Sequence, residues 1–169
     1  DDAQNMFFNM DNYANPLLYF SGLGYAVQKN YKLAEVELLG AIDNHPNHVL
    51  SLYSLGNNYK YENNVEKALE YYGRALEIAP MNPRVRVSMA EVYLKQNKVI
   101  EATALLNEIK VGYEDPRYKE MMANVVAYYY KNFERDHLWP GLVNFLRQRN
   151  PKTANDFFNG YVAFKRQVL

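Results

Sequence analysis

The sequence predicts an all-α fold, an α-solenoid of antiparallel helix pairs with extra capping helices at its C-terminal end. Three observations predict it. The first is the spacing within Leu52–Pro80, LYSLGNNYKYENNVEKALEYYGRALEIAP, where Leu55 and Gly56 are followed by Tyr59, then by Ala68, Tyr72 and Ala75, and Pro80 closes the unit. Small residues at these points let two helices touch, large ones fill the space beside them, and a proline stops the second helix. The second is recurrence at 34 residues. Counting back gives Gly22, Tyr25, Ala34, Ala41 and Pro46, and counting forward gives Ala90, Tyr93, Ala102, Ile109 and Glu114, with Pro116 slightly late. The third is that apolar stripes at helical spacing continue after Pro116, although the period weakens.

This register resembles that of the tetratricopeptide repeat (TPR) family from about Asn15 to Pro116, without pointing to a particular member. The resemblance implies a TPR superhelix and divides the chain into an N-terminal segment, 1–14, three repeats, 15–48, 49–82 and 83–116, and a remainder, 117–169. In repeat one, the first helix is expected through Leu17, Leu18 and Tyr25 and the second through Leu33, Ala34, Leu38 and Ala41. The turn at Lys29-Asn30 joins them, with asparagine suited to left-handed backbone. Repeat two is the best formed, and Glu70 and Arg74 stand at i,i+4 spacing on a face read as solvated. Repeat three opens at Pro83, a residue suited to a first helical turn, and its second half is degenerate. Arg117 to Phe133 then reads as a seventh helix, the first of a degenerate fourth pair, with Asn124 at the glycine position and Ala127 at the tyrosine position. Asp136 to Pro140 should begin a further helix, with Leu142, Phe145 and Leu146 facing one way until Asn150-Pro151 breaks it, and the last carries Phe157, Tyr161, Phe164 and Val168 on one stripe. Stacked repeats leave one end of the core bare, and the segment from Leu138 onward is expected to cover it.

Composition narrows the function. Nineteen cations balance nineteen anions, which argues against a broad electrostatic footprint for nucleic acid. The absence of cysteine removes disulfides, zinc thiolate sites and thiol chemistry. No apolar run is long enough to span a membrane. The chain starts at Asp1, which suggests removal of an upstream segment, and its first cation is Lys29, so no basic presequence is visible. Cytoplasm and periplasm are both open. His45 and His48 are three apart with a proline between them and no third ligand near, so no metal is expected. Gly22-Leu23-Gly24 belongs to the repeat, no nucleophile or phosphate-cradling motif is present, and Glu35, Glu37, Glu66, Glu70 and Glu77 read as solvated helix carboxylates. The chain is therefore expected to be no enzyme and to need no cofactor.

The family resemblance implies a concave surface, lined by the first helix of each hairpin, that binds an extended peptide or a partner helix. The inward positions fall on Tyr19, Phe20, Leu23 and Val27, on Leu50, Tyr53, Asn57 and Tyr61, on Arg84, Val87, Glu91 and Leu94, and on Met121, Met122, Val125 and Tyr128. From these, Tyr19, Phe20, Leu23, Tyr53, Asn57, Tyr61, Arg84, Val87, Leu94, Met121, Met122 and Tyr128 form the expected partner-binding groove. Family members that hold chaperone C-terminal tails use a clamp of lysines, asparagines and an arginine. Its positions here are Tyr19, Leu23, Ser54, Arg84 and Ser88, and a single cation cannot clamp a terminal carboxylate, so no such tail is expected. Arg147, Arg149, Lys152, Lys165 and Arg166 make the C-terminal part basic, yet the inward set holds essentially one cation, against nucleic-acid reading. Two functions follow. One is a protein- or peptide-binding adaptor using an aromatic and apolar groove. The other is a self-associating (homo-oligomeric) scaffold component of a multiprotein assembly, of the kind found in bacterial envelope, pilus or secretion systems.

Overall fold

The computed structural model describes residues 16–110, 113–132, 148 and 154–168. The expected N-terminal segment and the helix through Leu142, Phe145 and Leu146 lie outside them. The described residues are helical, with no strand among them, and fall into two compact units, Asp1–Val92 and Tyr93–Leu169.

The first unit contains α1 (residues 16–27), α2 (Tyr31–Asn44), α3 (Val49–Tyr61), α4 (Val65–Ile78) and most of α5 (Pro83–Lys95). Helices α2 and α3 pack together, as do α3 and α4. Within each hairpin the chain reverses in the same way. Lys29 and Asn63 have φ near +60°, at 60° and 61°. The next residue returns a backbone bond to a tyrosine carbonyl five positions back, Asn30 to Tyr25 (2.9 Å) and Asn64 to Tyr59 (2.8 Å), which closes a Schellman-type helix end. Asn30 and Asn64 then cap the following helices, their side-chain oxygens accepting from the Leu33 and Lys67 N–H groups at 3.3 Å. Asn30, expected to take the left-handed turn position, is thus the cap of α2, and Lys29 takes the strained backbone. The prolines after α2 and α4, Pro46 and Pro80, follow the helices that they were expected to end.

The core of this unit gathers Leu38, Ile42, Leu52, Leu55, Tyr59, Ala68, Tyr72, Ala75, Val85 and Val92. Burying each large side chain contributes about 1.5–3 kcal/mol. Glycine sets the closeness of the pairs. A Cβ at Gly22 would stand 2.7 Å from Leu38 Cγ, and one at Gly56 would stand 2.5 Å from the Tyr72 ring. The Tyr59 hydroxyl donates to Glu35 Oε1 (2.5 Å) and accepts from Lys67 Nζ (3.3 Å), linking α2, α3 and α4. Glu35 is therefore half-buried and engaged, where the sequence suggested a solvated carboxylate. Burial and this carboxylate raise the Tyr59 pKa, so the hydroxyl stays protonated and able to donate.

The second unit holds the end of α5, α6 (Val99–Asn107), α7 (Pro116–Asn132) and α8 (Ala154–Val168). Asn97, at φ 59°, repeats the left-handed turn 34 residues after Asn63, and the Lys98 N–H bonds to the Tyr93 carbonyl at 2.9 Å. Helix α6 is short, ending before Glu108. Pro116 does not end it. That proline opens α7, where Asp115 accepts from the Arg117 N–H at 2.8 Å, so the late proline belongs to the next helix. Burial raises the Asp115 pKa, but the side-chain and backbone hydrogen bonds from Arg117 outweigh it and leave the carboxyl below its ordinary value. Helix α7 packs on α6 and α8, and Tyr161 of α8 donates to Asn107 Oδ1 at 2.7 Å. Tyr118, Met122, Val125 and Val126 are fully buried here, and burial pushes the Tyr118 hydroxyl up to about 12.

Candidate partner-binding groove

Between α1 and α3 the first unit opens a cleft of about 340 Å³, lined by Leu23, Ala26 and Val27 of α1, Lys29 of the turn, Tyr31, and Ser54, Asn57, Asn58 and Tyr61 of α3. Helical geometry places these groups together. Leu23 and Val27 are i,i+4 on α1, while Ser54, Asn57 and Tyr61 share one face of α3. Tyr61 is 64% exposed, and its ring lies 6.1 Å from that of Tyr31 at an interplanar angle of 17°. The pair forms a flat aromatic wall. Val27, also in the lining, is 84% exposed.

The polar groups beneath are held by the protein itself. The Tyr72 hydroxyl donates to Asn57 Oδ1 at 2.7 Å, which leaves the Asn57 amide N–H groups as donors. Burial raises the Tyr72 pKa and keeps that hydroxyl protonated. Asn58 Nδ2 donates to the Tyr31 carbonyl at 2.9 Å, fixing the start of α2 against α3. Its Oδ1 is buried with no hydrogen-bond partner among the described residues. Further along α3, Tyr53 and Ser88 hydroxyls lie 3.3 Å apart, and Lys60 forms a 2.8 Å ion pair with Glu91. The Lys60 side chain is only 8% exposed, and its ammonium also lies 5.3 Å from the Tyr61 ring centroid. This cation was missed in the sequence, which credited the inward face with Arg84 alone. The signal was available: Lys60 is one residue from Tyr61 and three from Asn57, and Glu91 already stood on the inward set.

The expected site residues separate into groups. Leu23, Asn57 and Tyr61 meet in the cleft. Tyr19 is half-buried, edge-on to His48 at 5.3 Å and tilted against the exposed Phe20. Tyr53 is half-buried against Tyr72, with centroids 6.1 Å apart. Arg84 is exposed in the first turn of α5. Val87 is fully buried, and so is Met122, while Met121 is 7% exposed. Their apolar chains fill the interior and offer no ligand surface, a correction to the inward set. Leu94 is half-buried and Tyr128 is 36% exposed, both in the second unit.

Among the described residues no group of His, Cys, Asp and Glu could hold a metal ion, and no helix is long and apolar enough to cross a membrane. His48, weighed above as a ligand, shares a 2.6 Å hydrogen bond with Ser51 through Nδ1.

Comparison with known proteins finds the same repeat fold. The tetratricopeptide repeat family matches residues 61–125. No curated protein matches the chain. Among solved structures, that of PilF from Pseudomonas aeruginosa superposes with a TM-score of 0.63 at 19% identity, covering 87% of this chain and 66% of its own. A tetratricopeptide repeat protein from Parabacteroides merdae gives a TM-score of 0.58 at 18% identity over 90% of this chain and 72% of its own. YrrB, described as a TPR protein with an unusual peptide-binding site, gives 0.56 at 13% identity over 88% of this chain and 85% of its own. At such identities the likeness is one of fold, and the chain spans about two-thirds of the PilF structure's length. The fold is a typically non-catalytic one, used for protein–protein interaction. The recurring glycine, tyrosine and alanine positions, the repeated left-handed turns and the family match over residues 61–125 together give this chain a tetratricopeptide-repeat fold.

Proposed function

We propose that this chain is a non-enzymatic protein-binding module and that the cleft between α1 and α3 takes an apolar or aromatic side chain from an extended segment of a partner protein. The observation that carries this reading is that the stacked Tyr31–Tyr61 pair lines one cleft with Leu23 and Val27, Tyr61 and Val27 being largely exposed, together with the polar Ser54, Asn57 and Asn58. A volume of about 340 Å³ matches the lower end of ligand pockets and exceeds what a solvating water needs. The Asn57 amide, with its oxygen engaged by Tyr72, supplies donors for a partner's backbone carbonyl. The lining carries one cation, Lys29, so the proposed partner segment is not a charged C-terminal tail. The peptide-binding description of YrrB, a protein of the same fold, adds support.

Selection of random peptides on the full chain tests this, with Tyr61→Ala and Val27→Glu variants as controls. Both side chains are largely exposed, so the fold should survive, as circular dichroism would verify. Enriched peptides are expected to share an apolar anchor and to lose at least about tenfold in affinity on each variant, the scale of one buried contact. Peptides that bind wild type and both variants equally would place the interaction elsewhere.

A further inference from the structure

The α1/α3 cleft holds hydrogen-bonding groups that the described residues leave unused. Ser54 stands in the lining and is only 8% exposed, yet its hydroxyl has no hydrogen-bond partner among the described residues. Asn57 has its oxygen engaged by Tyr72, and among the described residues no acceptor meets its amide N–H groups. Asn58, in the same lining and 1% exposed, holds its Oδ1 without a donor among the described residues. Polar groups so far out of water are costly to leave unpaired. Ser54 and Asn58 are i,i+4 on α3, so their side chains are neighbours one turn apart. The lining therefore asks its occupant both to accept and to donate. Its one charged group is Lys29, and it contains no carboxylate.

These needs select the occupant. A carbonyl or carboxylate only accepts, which leaves the Ser54–Asn58 side short of a donor. An ammonium only donates and meets a like charge in Lys29. An indole N–H only donates, and a phenyl ring does neither. The hydroxyls of serine and threonine do both but are too short to cover Leu23, Val27 and the Tyr31–Tyr61 pair. A phenol meets every requirement, and a cleft of about 340 Å³ has room for one such ring. We propose that the anchor entering this cleft is a tyrosine side chain of the partner segment. Its oxygen accepts from Asn57 Nδ2, and its O–H donates to Ser54 Oγ, which turns its own hydrogen toward Asn58 Oδ1. The ring packs on Leu23, Val27 and Tyr61, with the Lys29 ammonium beside its electron-rich face. The second Asn57 N–H stays available for the segment's backbone. This inference rests on the cleft being the partner site and narrows an apolar or aromatic anchor to a phenol.

Four small probes titrated at millimolar concentration into the full chain, with amide shifts as the readout, test it without a selected peptide. They are N-acetyl-tyrosinamide, its O-methyl ether, N-acetyl-phenylalaninamide and N-acetyl-tryptophanamide, which share backbone amides and differ at the anchor. The tyrosine probe is expected to move the Leu23, Ser54, Asn57 and Tyr61 amides. It should bind about fivefold or more tighter than the other three, the scale of one hydrogen bond. In Ser54→Ala, checked for fold by circular dichroism, it should fall to the level of its O-methyl ether. A phenylalanine or O-methyl probe that binds the cleft as tightly as tyrosine overturns the inference and leaves the cleft a general aromatic site. A preference for tyrosine that is undiminished in Ser54→Ala overturns the role given to Ser54. Cleft amides unmoved by all four probes would count against the cleft itself, and with it the anchor. Should Ser54→Ala fail to fold, the O-methyl ether removes the same O–H from the other side.

Discussion

Gly56→Ala is expected to destabilise the protein although alanine is the better helix former. The exchange gains about 0.8–1.0 kcal/mol of helix propensity. The added methyl, however, would sit 2.5–2.6 Å from two ring carbons of Tyr72, whose side chain is fully buried and anchored by its hydroxyl on Asn57. A rigid ring held at both ends cannot rotate away as a flexible chain end would, so α3 and α4 must separate. Overpacking of this kind costs about 1–3 kcal/mol. Set against the propensity gain, this leaves a net loss of up to about 2 kcal/mol, near 1 at the middle of the range, or ~2–4 °C in Tm for a chain of this size. Gly24→Ala and Gly73→Ala are the controls, because a Cβ at either meets nothing within 4 Å. Each should stabilise by about 0.5–1 kcal/mol. Urea unfolding of the three variants in one buffer measures the contrast. A Gly56→Ala protein as stable as Gly24→Ala would refute the close-approach argument.

Three further predictions concern the turns and one histidine. Lys29→Asn should raise stability by about 0.5 kcal/mol, since Lys29 holds φ 60° where the two equivalent turns use Asn63 and Asn97; the denaturation midpoint reads it. Lys98→Asn should add a side-chain cap to α6, because the backbone at Lys98 matches that of the capping Asn30 and Asn64 but no side-chain cap bond forms. The cap contributes about 1 kcal/mol and loss of the Lys98–Tyr93 cation–π contact removes about 0.5, so a small net gain in Tm is expected. Burial, followed by repulsion from His45, lowers the His48 pKa below its ordinary 6.5. The folded state therefore prefers the neutral ring. This contribution is fully present above about pH 6.5, is lost as the unfolded chain protonates below that value, and levels off beneath the folded pKa. Urea midpoints at pH 7.5 and 5.5 should diverge less for His48→Asn than for wild type.

The repeat architecture was legible because its signals are local and recur. Gly22 and Gly56, the tyrosines ahead of each turn, and the alanines of the second helices mark helix contacts that need small or shaped residues at fixed spacing. Errors arose where one residue type serves two roles. Asparagine suits both the left-handed turn and the helix cap, and residue type alone does not reveal that Lys29 takes the first and Asn30 the second. Proline ends one helix and opens the next, which is why Pro116 was read as a terminator. For the groove, register identifies the face of a helix but not how much of it neighbours cover. Leu23, Asn57 and Tyr61 meet in the cleft, whereas Val87, Met121 and Met122, apolar and equally well placed by register, are buried. Lys60 is easily overlooked for a related reason: it adjoins the inward positions Asn57 and Tyr61 in sequence, but its pairing with Glu91 and its burial come from the neighbouring hairpin.

Amide shift mapping of the full chain with a selected peptide is the sharpest test of the proposed α1/α3 cleft. The largest perturbations are expected at Leu23, Val27, Asn57 and Tyr61, with their loss in the Tyr61→Ala variant. Perturbations confined to α7 and α8, with the cleft amides unmoved, would contradict it.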